Sequence, residues 1–74
     1  MQVTVHLSSS LRLRRFDESN LECPTGSTAR QVIQLLEIPE SAVGILVVND
    51  QHARLDEALK EGDRVRLLPP IGGG

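Results

Sequence analysis

The chain has 74 residues, of which 39% are hydrophobic and 24% are charged, so it is long enough for one small globular domain. Eight Lys and Arg residues against ten Asp and Glu residues give a formal net charge of -2 at pH 7, which argues against a basic surface for nucleic acid or membranes. Phe16 is the only aromatic residue, so a platform for stacking single-stranded bases is not expected either.

Disulfide and metal chemistry are not indicated. Cys23 is the only cysteine, and its spacing from His6 and His52 matches no common metal-ligand pattern. We therefore predict no disulfide, no metal site and a buried structural role for Cys23. The first residues alternate apolar and polar side chains, unlike a signal peptide, and the apolar run at 45–48 is too short to span a membrane. A cytoplasmic location is expected.

The first part of the chain predicts β-strands. Val3, Val5 and Leu7 alternate with polar residues, which is typical of a half-buried strand. Residues 21–23 predict a second, shorter strand. Residues 11–16 also alternate but carry three arginines, so both a strand extension and an ordered loop remain open.

A helix is predicted to follow. Thr28 and Gln31 have the spacing of a capping box, in which each side chain bonds the backbone amide of the other residue. The helix cannot continue to Pro39, because proline disfavours helical geometry in the residue before it. The predicted buried stripe is formed by Ala29, Val32, Ile33, Leu35 and Leu36.

The second half predicts two more strands. Residues 43–48 are apolar at both parities, which favours a central strand covered on both faces, and residues 49–51 predict a turn. Residues 55–63 are interpreted as one helical turn that ends at Gly62. Arg64–Leu68 predicts the last strand, whose inward side chains are Val65 and Leu67.

Together these elements predict an α+β fold, with a mixed sheet of four to five strands wrapped on one main helix. The domain is expected to span residues 1–70. Residues 71–74 are expected to form a flexible C-terminal tail rich in glycine.

The polar residues do not predict a self-contained enzyme. Gly26 and Gly44 are isolated, so the sequence has no glycine-rich phosphate loop. Serines 8–10 near His6 are typical of a polar turn rather than a nucleophilic triad. The acidic residues between 56 and 63 are expected to form a solvated rim.

The C-terminal residues carry the strongest functional signal. Pro69 and Pro70 restrict the backbone and favour a stiff, extended departure from the last strand. Ile71 supplies one apolar side chain, and residues 72–74 present a main-chain carboxylate on glycines alone. Adenylation makes such a carboxylate an acyl donor for sulfur or an amine, and glycine leaves its carbonyl carbon unshielded. The alternative is a tail without function, because chain termini usually fray.

The order of elements resembles the ubiquitin-like β-grasp fold, and the chain end is similar to the MoaD/ThiS sulfur carriers. The ending carries most of this likeness, with a Gly-Asp turn at 62–63, a strand, two prolines and then glycines. Segments 26–28 and 47–50 are also similar to that family. Two departures are a third terminal glycine and a segment 11–20 that is shorter than in many molybdopterin-type members.

The resemblance implies a carrier protein, not an enzyme, that binds no cofactor itself. A MoeB- or ThiF-like enzyme would adenylate Gly74 with ATP and magnesium, and Gly72 and Gly73 would lead it into the active site. A persulfide donor would then convert Gly74 to a thiocarboxylate. The sulfur would pass to the large subunit of molybdopterin synthase or to thiazole synthase, and the paired prolines favour molybdopterin. The alternatives are a ubiquitin-like modifier joined through Gly74, for which Lys60 is the single internal attachment point, and a passive binding domain.

Such partners need a free surface on the sheet. We predict that they dock around Leu68, which is out of register with the inward residues of its strand, with Arg64 and Arg66 beside it. The alternative is that the helical turn at 55–63 and segment 11–16 cover this patch internally. The other residues assigned to partner binding are Pro69, Pro70 and Ile71.

Overall fold

The computed structural model describes residues 1–8, 11 and 17–70 of the chain. The strands are β1 (Gln2–Leu7), β2 (Glu18–Glu22), β3 (Ile45–Val48), β4 (Gln51–His52) and β5 (Arg64–Leu68), and the α-helix is α1 (Ala29–Leu35). A short 3₁₀ turn spans Glu40–Ala42. The five strands form one sheet in the order β2-β1-β5-β3-β4. No helix in the described segments is long and apolar enough to cross a membrane.

The first and last strands lie side by side in the middle of the sheet. β1 and β5 run parallel, with Val5 opposite Val65 and Leu7 opposite Leu67. The other strand pairs, β1 with β2 and β3 with β4 and β5, are antiparallel. This arrangement confirms the predicted mixed sheet and α+β class.

The core lies between one face of this sheet and α1. The inward side chains predicted for β1 and β5 are all at most 3% exposed. Leu11 also joins the core, whereas residues 12–16, predicted as a strand extension or an ordered loop, lie outside the described residues. The buried apolar residues are Val3, Val5, Leu7, Leu11, Cys23, Ala29, Val32, Ile33, Ile38, Leu46, Leu59, Val65 and Leu67.

The helix begins as predicted, but its buried stripe is narrower. Thr28 Oγ1 accepts from Gln31 N at 3.3 Å, and Thr28 N donates to Gln31 Oε1 at 2.8 Å, which confirms the capping box. Leu35, predicted to be buried, is 54% exposed. At 3.6 residues per turn, Leu35 lies about 100° around the axis from the centre of the stripe that begins at Ala29. Leu36 packs against the core instead.

The second strand is longer than predicted. It begins at Glu18 rather than at residue 21, and it pairs with β1 from His6 opposite Glu18 to Gln2 opposite Glu22. Polar residues are tolerated here because β2 is an edge strand with one face in solvent. Cys23 follows the strand and is buried, as predicted.

The prediction of a central strand at 43–48, covered on both faces, was wrong. β3 starts at Ile45 and is separated from the edge of the sheet only by the two residues of β4. Leu46 is its only buried residue, because α1 covers one face. The predicted turn is confirmed at Asn49 and Asp50, which have φ of 52° and 67°, as a two-residue type I′ hairpin requires, whereas Gln51 already belongs to β4. His52 follows the turn and is exposed on β4.

The helical turn predicted at 55–63 is absent from the structure. The carbonyls of this segment instead bond the start of α1: Ala29 N donates to Glu57 O at 3.3 Å and Arg30 N to Leu55 O at 2.9 Å. The first amides of a helix have no partner within the helix, so this turn-containing segment satisfies two of them from outside. Gly62, predicted to end the helical turn, has a left-handed φ of 82°.

Candidate docking face and tail exit

The two arginines of β5 and Leu68 lie on the face of the sheet opposite the core. Side chains alternate along a strand, and Val65 and Leu67 are buried while Arg64 and Arg66 are exposed and Leu68 is half-buried. The structure therefore brings the three predicted docking residues of this strand together on one face.

Neighbouring strands extend this surface with further apolar side chains. Leu68 lies opposite Ile45, and Arg66 lies between His6 of β1 and Val47 of β3. Ile45 and Val47 are half-buried. Residues 43–48 are apolar at both parities, so only the strand register identifies Ile45 and Val47 as the side chains on this face. We call the surface formed by these residues the outer face: His6, Ile45, Val47, Arg64, Arg66 and Leu68.

Charge is graded across the outer face. At the β2 side, His6 Nε2 lies 2.5 Å from Glu18 Oε1. At the centre, neither Arg64 nor Arg66 forms a salt bridge with any side chain in the described ranges. At the β3 side, Ile45 and Val47 are apolar, and Asp50 of the hairpin turn lines the same depression as Arg64 and Arg66. This depression measures only about 10 Å³, room for roughly one water, so the geometry suits a macromolecular partner better than a small ligand.

The segment at 55–63 does not cover the outer face. Leu59 is buried in the core and Leu55 packs against it, and Leu59 N donates to Ser27 O at 2.8 Å beside the start of α1. Leu11, the first residue of the other proposed cover, is buried in the core, and the rest of that cover, residues 12–16, lies outside the described residues.

Two segments singled out separately in the sequence meet at the start of β5. Asn49 of the hairpin turn donates its Nδ2 to Asp63 Oδ1 at 2.9 Å, and its Oδ1 accepts from Arg64 N at 2.9 Å. Asp63 Oδ2 also accepts from Lys60 N at 2.8 Å. These bonds position the strand that carries the outer face.

The chain leaves β5 at Pro69 and Pro70, where it passes very close to Gly44. Gly44 N donates to Leu68 O at 2.8 Å. A Cβ built on Gly44 would lie 2.3 Å from Pro70 Cα and 2.9 Å from Pro69 C. In the sequence Gly44 is only an isolated glycine, because no local pattern indicates that Pro70, 26 positions later, lies beside it. The predicted site residues Ile71, Gly72, Gly73 and Gly74 lie outside the described residues.

Comparison with known proteins places this geometry among related folds. A model of the ThiS family matches residues 6–74. The putative molybdopterin converting factor subunit 1 from Pyrococcus furiosus is similar at a TM-score of 0.77 and 27% identity, covering 96% of this chain and 99% of that one. The small archaeal modifier protein 1 from H. volcanii is similar at a TM-score of 0.77 and 19% identity, covering 95% and 98%.

A third similar structure is a complex. It contains subunits 1 and 2 of the molybdopterin-converting factor from Helicobacter pylori, and its matching chain has a TM-score of 0.68 and 24% identity, covering 100% of both chains. These likenesses confirm the predicted ubiquitin-like β-grasp fold.

Proposed function

The chain belongs to the ThiS family of small sulfur carriers related to MoaD, and on that basis we propose that its C-terminal glycine, Gly74, carries sulfur as a thiocarboxylate. The family match extends through Gly74, and this observation carries the proposal. The protein then acts as a carrier and as the substrate of an ATP-dependent activating enzyme, rather than as a catalyst.

A free carboxylate is a poor acyl donor, so Gly74 is first activated and then converted to the thiocarboxylate. A Gly74 oxygen attacks the α-phosphorus of ATP and displaces pyrophosphate, with magnesium held by the activating enzyme. A persulfide sulfur then attacks the carbonyl carbon and displaces AMP. A thiol finally cleaves the resulting S–S bond, is itself oxidised to a disulfide with the donor, and leaves the thiocarboxylate on Gly74. Gly72 and Gly73 have no side chains, so they can enter a narrow channel.

The outer face supports docking of the carrier on its partners. Apolar Leu68 is flanked by Arg64 and Arg66, which have no acidic partner in the described segments. Such a surface fits an apolar patch that is bordered by carboxylates, which the arginines would pair. Pro69, Pro70 and Ile71 would continue the contact toward the active site.

The acceptor is proposed to be the large subunit of molybdopterin synthase, in preference to thiazole synthase. Two of the similar structures are a putative molybdopterin converting factor subunit 1 and a complex of molybdopterin-converting factor subunits 1 and 2. The paired prolines at 69–70 favour the same assignment.

Intact-mass spectrometry tests the proposal. The protein is incubated with ATP, magnesium, a MoeB- or ThiF-like enzyme and a persulfide donor. The expected result is a mass gain equal to the exchange of one oxygen for one sulfur. Deletion of Gly73 and Gly74 together should abolish this gain, because it removes the two-glycine ending, whereas Gln34→Ala, an exposed change on α1, should retain it. An unchanged mass for the wild-type protein would contradict the proposal.

A modifier role is the second candidate, because the same acyl-adenylate also reacts with an amine. The small archaeal modifier protein 1 from H. volcanii is similar in structure, and its 19% sequence identity supports a shared fold. Isopeptide adducts on other proteins, in place of the sulfur exchange, would favour this role. Lys60 is exposed and is the only lysine, so Lys60→Arg should remove any chains built on the protein itself.

A further inference from the structure

Gly44 is the one described glycine whose missing side chain makes room for another part of the backbone. A Cβ at this position would lie 2.3 Å from Pro70 Cα, 2.6 Å from Pro70 N and 2.9 Å from Pro69 C. All three are main-chain atoms, so no side-chain rotation can relieve the overlap. Ordinary contact begins at 3.4 Å, so the Pro69–Pro70 backbone would have to retreat by about 1 Å.

Comparison with two other glycines shows that position 44 needs glycine for lack of space and not for a left-handed backbone. Gly26 and Gly62 have φ of 88° and 82°, and a Cβ on either would meet nothing within 4 Å. Gly44 has no such left-handed φ, so its own backbone accepts an alanine without strain. The cost of a side chain at 44 therefore falls on the segment that leaves β5.

The displaced segment is stiff. Pro70 has a fixed φ, and Pro69 is restricted both as a proline and as the residue before one. A shift at this point therefore changes the position and the direction in which the chain leaves β5 at Pro70. Gly44 is exposed and precedes β3, so the core side chains are not involved.

We propose that Gly44 is a positioning residue for the reaction at the C-terminus. Its bare backbone lets Pro69 and Pro70 lie against the start of β3, and this contact sets the direction in which the tail enters a partner enzyme. The inference rests on the proposed function. Gly44 lies far from the tail in sequence, and its proposed role is in the activation of Gly74 rather than in docking.

Substitution at position 44 tests this role through the kinetics of activation. We expect Gly44→Ala to lower kcat for ATP–pyrophosphate exchange by the activating enzyme between about 10-fold and 100-fold, because a 1 Å misplacement has effects of this size. KM for the carrier should change less than kcat, because the outer face is unchanged and only the contact at Pro69 and Pro70 shifts. Gly62→Ala is the matched control: it strains a left-handed backbone and lowers stability, but it should leave kcat near the wild-type value.

A double-mutant cycle with Pro70→Gly separates positioning from stability. Pro70→Gly removes the stiffness of the exit, so it should itself lower kcat, and adding Gly44→Ala should then cost less than twofold more. An equal cost of Gly44→Ala in both backgrounds would overturn the inference. Unfolding of Gly44→Ala in both backgrounds, seen by circular dichroism, would assign Gly44 to the fold and also overturn it.

The outcome for the wild-type protein distinguishes the two proposals. An active wild type with Gly44→Ala equal to it would overturn the positioning role alone. An inactive wild type would overturn the proposed function and the inference with it.

Discussion

Asn49 bonds Asp63 through its amide nitrogen and the backbone of Arg64 through its amide oxygen, each at 2.9 Å. The β3–β4 hairpin turn is thereby tied to the first residue of β5, 15 positions later in the chain. Asn49 N also donates to Arg64 O at 2.9 Å. One residue thus links segment 47–50 to the Gly-Asp turn at 62–63, two of the segments that resemble the family.

Asn49→Asp should destabilise the protein by about 2 kcal/mol. The substitution replaces the donor to Asp63 with a carboxylate that repels it, while the acceptor for Arg64 N is kept. Urea unfolding followed by circular dichroism measures the effect. Asn49→Gly is the control, because it accepts the φ of 52° but removes both side-chain bonds, and it should cost about 1 kcal/mol. A smaller loss for Asp than for Gly would argue against the repulsion.

Leu68→Glu should weaken binding to the activating enzyme at least about 10-fold and leave the monomer folded. The half-buried side chain lies on the outer face, away from the core, so a charge there meets solvent in the free protein and an apolar surface in the complex. Isothermal titration calorimetry measures the affinity. Leu35→Glu is the matched control, since Leu35 is 54% exposed on α1 and should not contact the partner. Equal effects of the two changes would argue against the outer face.

Arg66→Glu should lower the association rate constant with the activating enzyme and weaken its dependence on salt. Arg66 lies at the centre of the outer face without an acidic partner in the described ranges, so its charge is available to steer an encounter. Stopped-flow measurements at several salt concentrations give both quantities. Arg54→Glu changes charge equally at an arginine already paired with Asp56, and should have a smaller effect. The reverse order would count against the assignment.

Thr28→Ala should lower the free energy of unfolding by about 1 kcal/mol, because it removes the hydroxyl that accepts from Gln31 N at the start of α1. Thermal unfolding measures the loss. Thr25→Ala, in the exposed turn before the helix, is the control and should change stability by less than half as much. Thiocarboxylate formation should be unchanged in both variants at 25 °C, because neither residue lies on the outer face.

Local patterns were sufficient where a residue's environment is set by its immediate neighbours in sequence. Alternation identified β1 and β5, and the Thr28–Gln31 spacing identified the helix start. The segment at 55–63 was mispredicted because its hydrogen-bond partners are the first amides of α1, which are distant in sequence. A helical pattern in a short segment does not reveal such a competing partner.

The candidate site could likewise be predicted only where local sequence patterns determine which way a residue faces. Arg64, Arg66 and Leu68 follow from strand parity, and the structure places them on one face as expected. Ile45 and Val47 required the register between β3 and β5, and Gly44 required the path of the chain after Leu68. Docking at this face and chemistry at Gly74 remain predictions.

The strand that leads to the tail is held on both sides, by β1 in parallel and by β3 in antiparallel orientation. Traction on Pro70 by an enzyme that draws the tail into its channel would act along β5, and both hydrogen-bond ladders would resist as one block in shear rather than opening bond by bond. A pull along β5 would therefore be opposed by its two neighbours, β1 and β3, whereas the edge strands β2 and β4 do not pair with β5.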